Sequence, residues 1–380
     1  MLAIVEEVLD SQETKITWKD IAEIAGLTKS ALSQAKSGNS ELNFNSLLKI
    51  AKFVFKSNYV SIFKDTCLKF SQPKNIRYAL EFLAINRQLP ELKKLIRKIE
   101  QQHTNSALLE WAEGYSILLK YLSNTNPSDV LNEIRTFTPK TIEIKTLIII
   151  TEIWCRNKMR EYSTMNALIS GVDVSLDRIK EEFIKQSYTM RYKEVLAYIH
   201  LYKFNNKFEA RKYAEEIISE NLSATFTANA SYLLGMSYLF DNYEMCLGYI
   251  ERHRDLLKIA GRTSEIRIVE ENDIPFIKNV WKKHEQQPET NDISEKAHYE
   301  AHMGDKLLGL NLIEESIATN GISGFKLYYK GLLTGDKSLF MQSLIFFVNK
   351  KGDKFYANLP YEHLKNDKSY KDMADLLMND

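Results

Sequence analysis

Lys29, Ser30, Ser33, Gln34 and Lys36 make a small, polar and cationic set with no acid among them. On one helix face, side chains of these types can donate to base edges and phosphate oxygens. A helix carrying them suits the major groove of a DNA duplex. The residues between and before them supply the frame. Ala22, Gly26, Leu27, Leu32 and Ala35 have the spacing of a helix-turn-helix. A small residue lets two helices cross closely, a glycine takes the turn where a positive φ is easiest, and apolar residues pack the second helix on the first. Thr17 is placed to cap the first helix, with Asp20 in its first turn and Ile21, Ala22, Ile24 and Ala25 following at helical spacing. The second helix is expected over Lys29 to Lys36, closed by Gly38. Phe44, Leu47, Leu48, Ala51 and Phe55 outline a third. Thr17 and Thr28, at the helix starts, complete the expected DNA-contacting set. The alternative is a three-helix bundle with a solvated face. The local charge is modest, so affinity for DNA would lean on dimerisation.

A second basic stretch holds Lys74, Arg77, Arg87, Lys93, Lys94, Arg97 and Lys98 against Glu81, Glu91 and Glu100. It either tracks phosphates or forms a solvated helix face. Elsewhere the residues that do chemistry are scattered. Cys67, Cys155 and Cys246 are too few and too far apart for a disulfide framework or a zinc site. His298 and His302 are four apart, but the acid between them is misplaced for a two-histidine zinc helix and no third ligand is evident. Ordinary repeat packing is the reading taken for the pair. No glycine-rich phosphate loop or nucleophile elbow occurs. No catalytic residue, metal or cofactor is expected, and the chain reads as a non-enzyme.

The chain has 380 residues, 51 Lys plus Arg against 50 Asp plus Glu, and a net charge of +1. That excludes a polycation, so any nucleic-acid contact must be local. Gly (14) and Pro (7) are scarce, and no proline falls between Pro139 and Pro275. Few helix breakers predict an all-α protein. The N-terminus carries Glu6, Glu7 and Asp10 and does not read as a signal peptide. The most apolar run, Leu147 to Trp154, is too short to span a bilayer. A cytoplasmic protein with no membrane contact is expected.

From about Asn75 the chain reads as helix pairs. Leu234-Gly235-Met236-Ser237-Tyr238, then Tyr243, Cys246 and Ile250, resemble a tetratricopeptide repeat one residue short. Tyr202, Phe204, Asn205, Asn206 and Phe208 belong to the unit before, and Gly331, Ser343 and Phe347 to a later one. Stacked pairs bury apolar faces that neither helix can bury alone, and leave a concave surface. The predicted fold is an N-terminal helix-turn-helix followed by a right-handed superhelix of TPR-like repeats. The predicted domains are a helix-turn-helix over 1–57, a linker helix region over 58–75, a repeat domain over 76–360 and a capping helix over 361–380. Polar breaks at Glu285–Asp292 and Ala318–Gly324 read as connections between repeats.

At this point the sequence resembles a family, the AimR-type arbitrium receptors of temperate phages, relatives of the peptide-regulated Rap, NprR and PlcR proteins. The strings that carry the resemblance are Ala25-Gly26-Leu27, Lys64-Asp65-Thr66-Cys67-Leu68, Ala79-Leu80-Glu81, Asn279-Val280-Trp281-Lys282-Lys283 and Gly352-Asp353-Lys354-Phe355, in order along almost the whole chain. The resemblance implies a homodimer that binds double-stranded operator DNA of inverted-repeat type and activates a regulatory RNA favouring lysis. A re-imported peptide of about six residues would bind the repeat groove and switch it off. Glu295 and Asp353 match family acids that meet a basic peptide side chain, and Phe355 matches an apolar wall residue. Tyr198, Tyr202, Thr225 and Met236 stand where family members carry Asn, Asn, Arg and Asn, which implies a different peptide or a clamp shifted to Asn205, Asn206 or Asn229. Ser294 and Phe325 complete the expected peptide-binding set. Local readings stay open beside these: Asp292 with Glu295 fits a capping box, Asp353 fits a helix cap, and Tyr198 and Tyr202 fit a core. A Rap-like interaction protein and a peptide-independent repressor are the rival classes.

Overall fold

The computed structural model describes residues 1–11, 16–284 and 286–379, and among them every regular element is helical. It divides into two compact units. The first comprises Met1–Thr151 with Val174–Tyr188, and the second Glu152–Asp173 with Thr189–Asp380.

The first unit opens with four helices: α1 (Leu2–Asp10), α2 (Trp18–Ala25), α3 (Lys29–Lys36) and α4 (Phe44–Phe55). Thr17 and Asp20 form a reciprocal capping box at the start of α2. Gly26 ends α2 in the left-handed region at φ 63°, which lets α3 turn back at once. Thr28 accepts the Ala31 N–H to start α3, and Leu32 is its buried anchor. The Ser46 hydroxyl of α4 donates to the Ala25 carbonyl, fixing α4 against the end of α2. The 58–75 segment is built into this core. Its Tyr59–Cys67 helix buries Phe63, and Phe63 and Phe70 pack on Phe44 with Tyr78, Phe82 and Phe183 at centroid distances of 5.1–6.0 Å.

Part of the basic stretch braces this unit. Arg77 pairs with Glu181 and lies over Trp111, Lys98 donates to the Leu68 and Phe70 carbonyls, and Arg87 donates to the Leu122 carbonyl. Lys74, Lys93, Lys94 and Arg97 are exposed. Glu81 is fully buried and accepts from Tyr115 and Ser187, so this acid is structural.

The second unit is a run of short helices, several of them started by a capping Asn, Ser or Asp: Asn206, Ser223, Asn242, Asp292, Asp305, Ser323, Asp336 and Asp353. The Ala224–Ser237 and Tyr243–Ile259 helices pack against each other as a pair. A Cβ added at Gly235 would lie 2.8 Å from Ile250 Cγ1 and 3.1 Å from the Cys246 carbonyl oxygen, the contact that the repeat register requires. Gly331 meets Phe340 at 2.9 Å in the same sense. Three helical segments widen into π-turns, Ile199–Lys203, Val269–Asp273 and Phe346–Lys351. Such turns shift side chains out of the 3.6-residue register.

The C-terminal expectation is corrected in detail. Tyr361 lies within the Lys354–Leu364 helix, and a turn organised by Asp367 separates that helix from the last one, Lys371–Asn379. The Ala318–Gly324 break narrows likewise, because the Lys306–Asn320 helix ends at Asn320. Met373 and Leu376 are exposed, and Ala374 is the buried contact. Asp380, and Glu285 at the start of one expected connection, lie outside the described residues.

Candidate functional site

Two cavities of about 390 and 280 Å³ adjoin in the second unit, sharing Arg160, Tyr232, Asp273 and Tyr356 in their walls. They form one groove. The larger half takes Tyr198, Tyr202 and Asn229 from the expected set, and the smaller takes Ser294, Glu295 and Phe325. Six of the ten expected peptide-binding residues are thus brought together.

The other four are buried and line neither cavity. Met236 is 1 % exposed and Thr225 8 %, both on buried faces of the helix whose Gly235 meets Ile250. Phe355 is fully buried, its ring 5.6 Å from Tyr202 and 5.0 Å from Phe240. Asp353 is fully buried and caps its helix by accepting the Tyr356 N–H at 2.9 Å. Asp353 thus caps a helix and lines neither cavity, while its second carboxylate oxygen, Oδ2, is buried without a hydrogen-bond partner among the described residues. Of the alternative clamp residues, Asn206 caps the Lys207–Glu220 helix, Asn205 takes a positive φ of 50°, and Asn229 donates to Glu194.

Glu295 reaches the groove wall with its acceptors already in use. Tyr329 donates to it at 2.5 Å and Asn279 at 2.9 Å, and His298 Nδ1 lies 3.3 Å away while its ring stacks on Tyr329. Asp292 caps the helix through the Ser294 N–H, so Glu295 turns inward rather than closing a capping box. His302 sits 5.3 Å from His298 by ring centroid, and burial with the neighbouring His298 takes its pKa down to about 3. Among the described residues no group of three or more His, Cys, Asp or Glu is placed to hold a metal.

Sequence reasoning missed Arg160, Asp273, Tyr232 and Tyr356. Arg160 follows a helix end at a φ of 55°, and Asp273 sits on a π-turn, so neither belongs to an apolar period that a sequence reveals. The floor is aromatic: Tyr202 stacks on Tyr162 at 5.1 Å and on Tyr198 at 5.7 Å, and Phe325 meets Tyr356 at 4.8 Å. Burial pushes Asp273 up to about 7, with Arg160 opposing and Glu295 adding to the shift. Burial also takes Asp353 to about 7, opposed by the Tyr356 N–H and by Arg160.

The Asp353 shift has a measurable consequence. Between its ordinary pKa near 4 and about 7 the folded protein keeps a proton that the unfolded chain releases, so this residue makes stability fall as pH rises through that window and level off above it. Asp353→Asn keeps a cap acceptor and removes the titration. Relative to the parent, it should gain on the order of 2–4 kcal/mol between pH 4 and pH 8. Parallel stability–pH curves for the two proteins would refute this assignment.

At the other end of the chain, Lys29, Ser30, Ser33 and Gln34 are exposed on α3. Thr17 and Thr28 use their hydroxyls on caps. Lys36 is engaged, with its Nζ 2.8 Å from Glu6 and 4.0 Å from the centre of the Trp18 ring.

The second unit is thus an array of helices that holds an aromatic, charged groove. The model of the AimR transcriptional regulator-like family matches residues 59–366, and the chain belongs to that family. It is 26 % identical over 341 residues to the AimR transcriptional regulator of Bacillus phage phi3T, covering 85 % of this chain and 86 % of that one. It is 23 % identical over 353 residues to the AimR transcriptional regulator of Bacillus phage SPbeta, covering 90 % and 89 %. A solved structure of phAimR with ligand superposes with a TM-score of 0.75 at 23 % identity, over 86 % of this chain and 98 % of that chain. A second, of selenomethionine phAimR, gives 0.70 at 22 % over 98 % and 99 %. The protein is an all-α phage transcription regulator of the arbitrium type. Among the described residues no helix is long and apolar enough to cross a membrane.

Proposed function

We propose that this protein is a peptide-gated DNA-binding regulator of phage lysis and lysogeny, acting in the cytoplasm of the bacterial host. The free homodimer binds operator DNA through α3 and activates a regulatory RNA. A peptide of about six residues in the groove ends that activation. The observation that carries this reading is the groove, a continuous trough with an aromatic floor and charged groups at its seam, suited to an extended short peptide. The family membership and a relative solved with a ligand support it.

For the DNA half, Lys29, Ser30, Ser33 and Gln34 supply base-edge donors and acceptors. Lys36 reaches phosphate only after leaving Glu6, a rim-type ion pair of small worth. Two cations per α3 are few, so two copies must act together. Gln34→Ala should weaken binding to a selected operator duplex by ~1–3 kcal/mol and leave binding to random duplex nearly unchanged. Fluorescence anisotropy on both duplexes checks this, and an equal loss on both would remove Gln34 from base reading.

A further inference from the structure

Arg160 differs from the other cations of the groove, of which Lys158 too has an interaction partner. Arg262 is paired with Glu265 at 3.0 Å, and Lys326 donates to the Ser316 and Gly321 carbonyls at 2.7 and 2.9 Å. The Arg160 guanidinium makes no hydrogen bond or ion pair with any described residue. It lies over the rings of Phe325 at 5.3 Å and Tyr356 at 5.7 Å, open to the solvent in the groove, at the seam where the two cavities meet. Its backbone holds a left-handed conformation unusual for a side chain of this size, so its placement is fixed by the surrounding fold.

A planar guanidinium with unused donors is matched by a carboxylate, which takes two parallel N–H···O bonds. The charges around it narrow the choice. Asp273 shares the seam, Asp353 acts on Arg160 electrostatically, and Glu265 lines the larger half. A phosphate or any polyanion would meet these acids with its second charge. A single negative charge on an otherwise neutral or cationic chain would not. We propose that Arg160 is the carboxylate-binding subsite of the groove and takes the free C-terminal carboxylate of a short peptide. The inference rests on the peptide-sensing reading and adds which end of the peptide is read, and by which residue.

The test is affinity capture on the full-length protein, using randomised hexapeptide pools made as free acids and as C-terminal amides, isotope-coded and mixed in equal amounts. Mass spectrometry of the eluate reads the ratio. The wild-type protein should retain free acids at least tenfold over amides. Arg160→Gln should lose that preference, with folding checked by thermal melting. Arg160→Lys, which keeps the charge and loses the fork, should fall between. Equal retention of acids and amides by the wild type overturns the subsite while leaving peptide sensing intact. So does a preference that survives in Arg160→Gln. Equal retention with enrichment of Asp- or Glu-containing sequences assigns Arg160 to side-chain carboxylates and also overturns the terminal assignment. Failure to retain either pool overturns the peptide reading itself, and the subsite with it.

Discussion

Gly235→Val should lower the stability of the second unit by about 2–4 kcal/mol, at or above the usual cost of overpacking. The first added carbon already lies 2.8 and 2.9 Å from two Ile250 carbons and 3.1 Å from the Cys246 carbonyl. The branched methyls of valine would deepen that collision. Ile250 is fully buried and has little room to move, and the Cys246 oxygen is backbone, so relief requires the two helices to separate. Urea unfolding followed by circular dichroism should show an earlier transition. An unchanged midpoint would mean that these helices are not packed at the register described.

Glu295→Ala should cost the free protein ~2–4 kcal/mol, because the loss is one of hydrogen-bond acceptors rather than of volume. The Tyr329 hydroxyl would lose its buried acceptor, the Asn279 amide would keep only the Glu295 main-chain carbonyl, and His298, whose Nε2 has no hydrogen-bond partner among the described residues, would lose its neighbour at Nδ1. Each buried group left unsatisfied costs roughly 1–3 kcal/mol, partly recovered by relaxation. Glu295→Gln, which keeps one carbonyl oxygen for Tyr329, should cost less. Were the ligand-free protein unaffected by Glu295→Ala while ligand affinity collapsed, Glu295 would be a ligand contact first and a wall residue second.

The N-terminal helices were readable almost residue by residue because their signals are local. Thr17 with Asp20 marks a cap, Gly26 marks a turn, α3 runs over the expected Lys29–Lys36, and α4 carries the expected face of Phe44, Leu47, Leu48, Ala51 and Phe55. The repeat glycine was readable for the same reason, since Gly235, Cys246 and Ile250 lie within one helix pair. The groove was readable only in part. A sequence places Tyr198, Tyr202 and Glu295 in the right helices, but whether a side chain faces the trough depends on helix rotation. Met236, next to Gly235, turns into the core for that reason. Asp273 sits where a π-turn breaks the helical period, and Arg160 sits at a left-handed position after a helix end. Lys36 looked free for phosphate, and its partner Glu6 is thirty residues away in sequence, beyond any local pattern.

The central claim is that occupancy of the groove governs DNA binding. It is tested most directly by fluorescence anisotropy of a labelled duplex, chosen by selection on the ligand-free protein and titrated with the peptides retained by capture. The account predicts that the free protein holds the selected duplex with a steep salt dependence and that saturating peptide weakens this at least tenfold. A selected duplex held with the same affinity with and without bound peptide would contradict it.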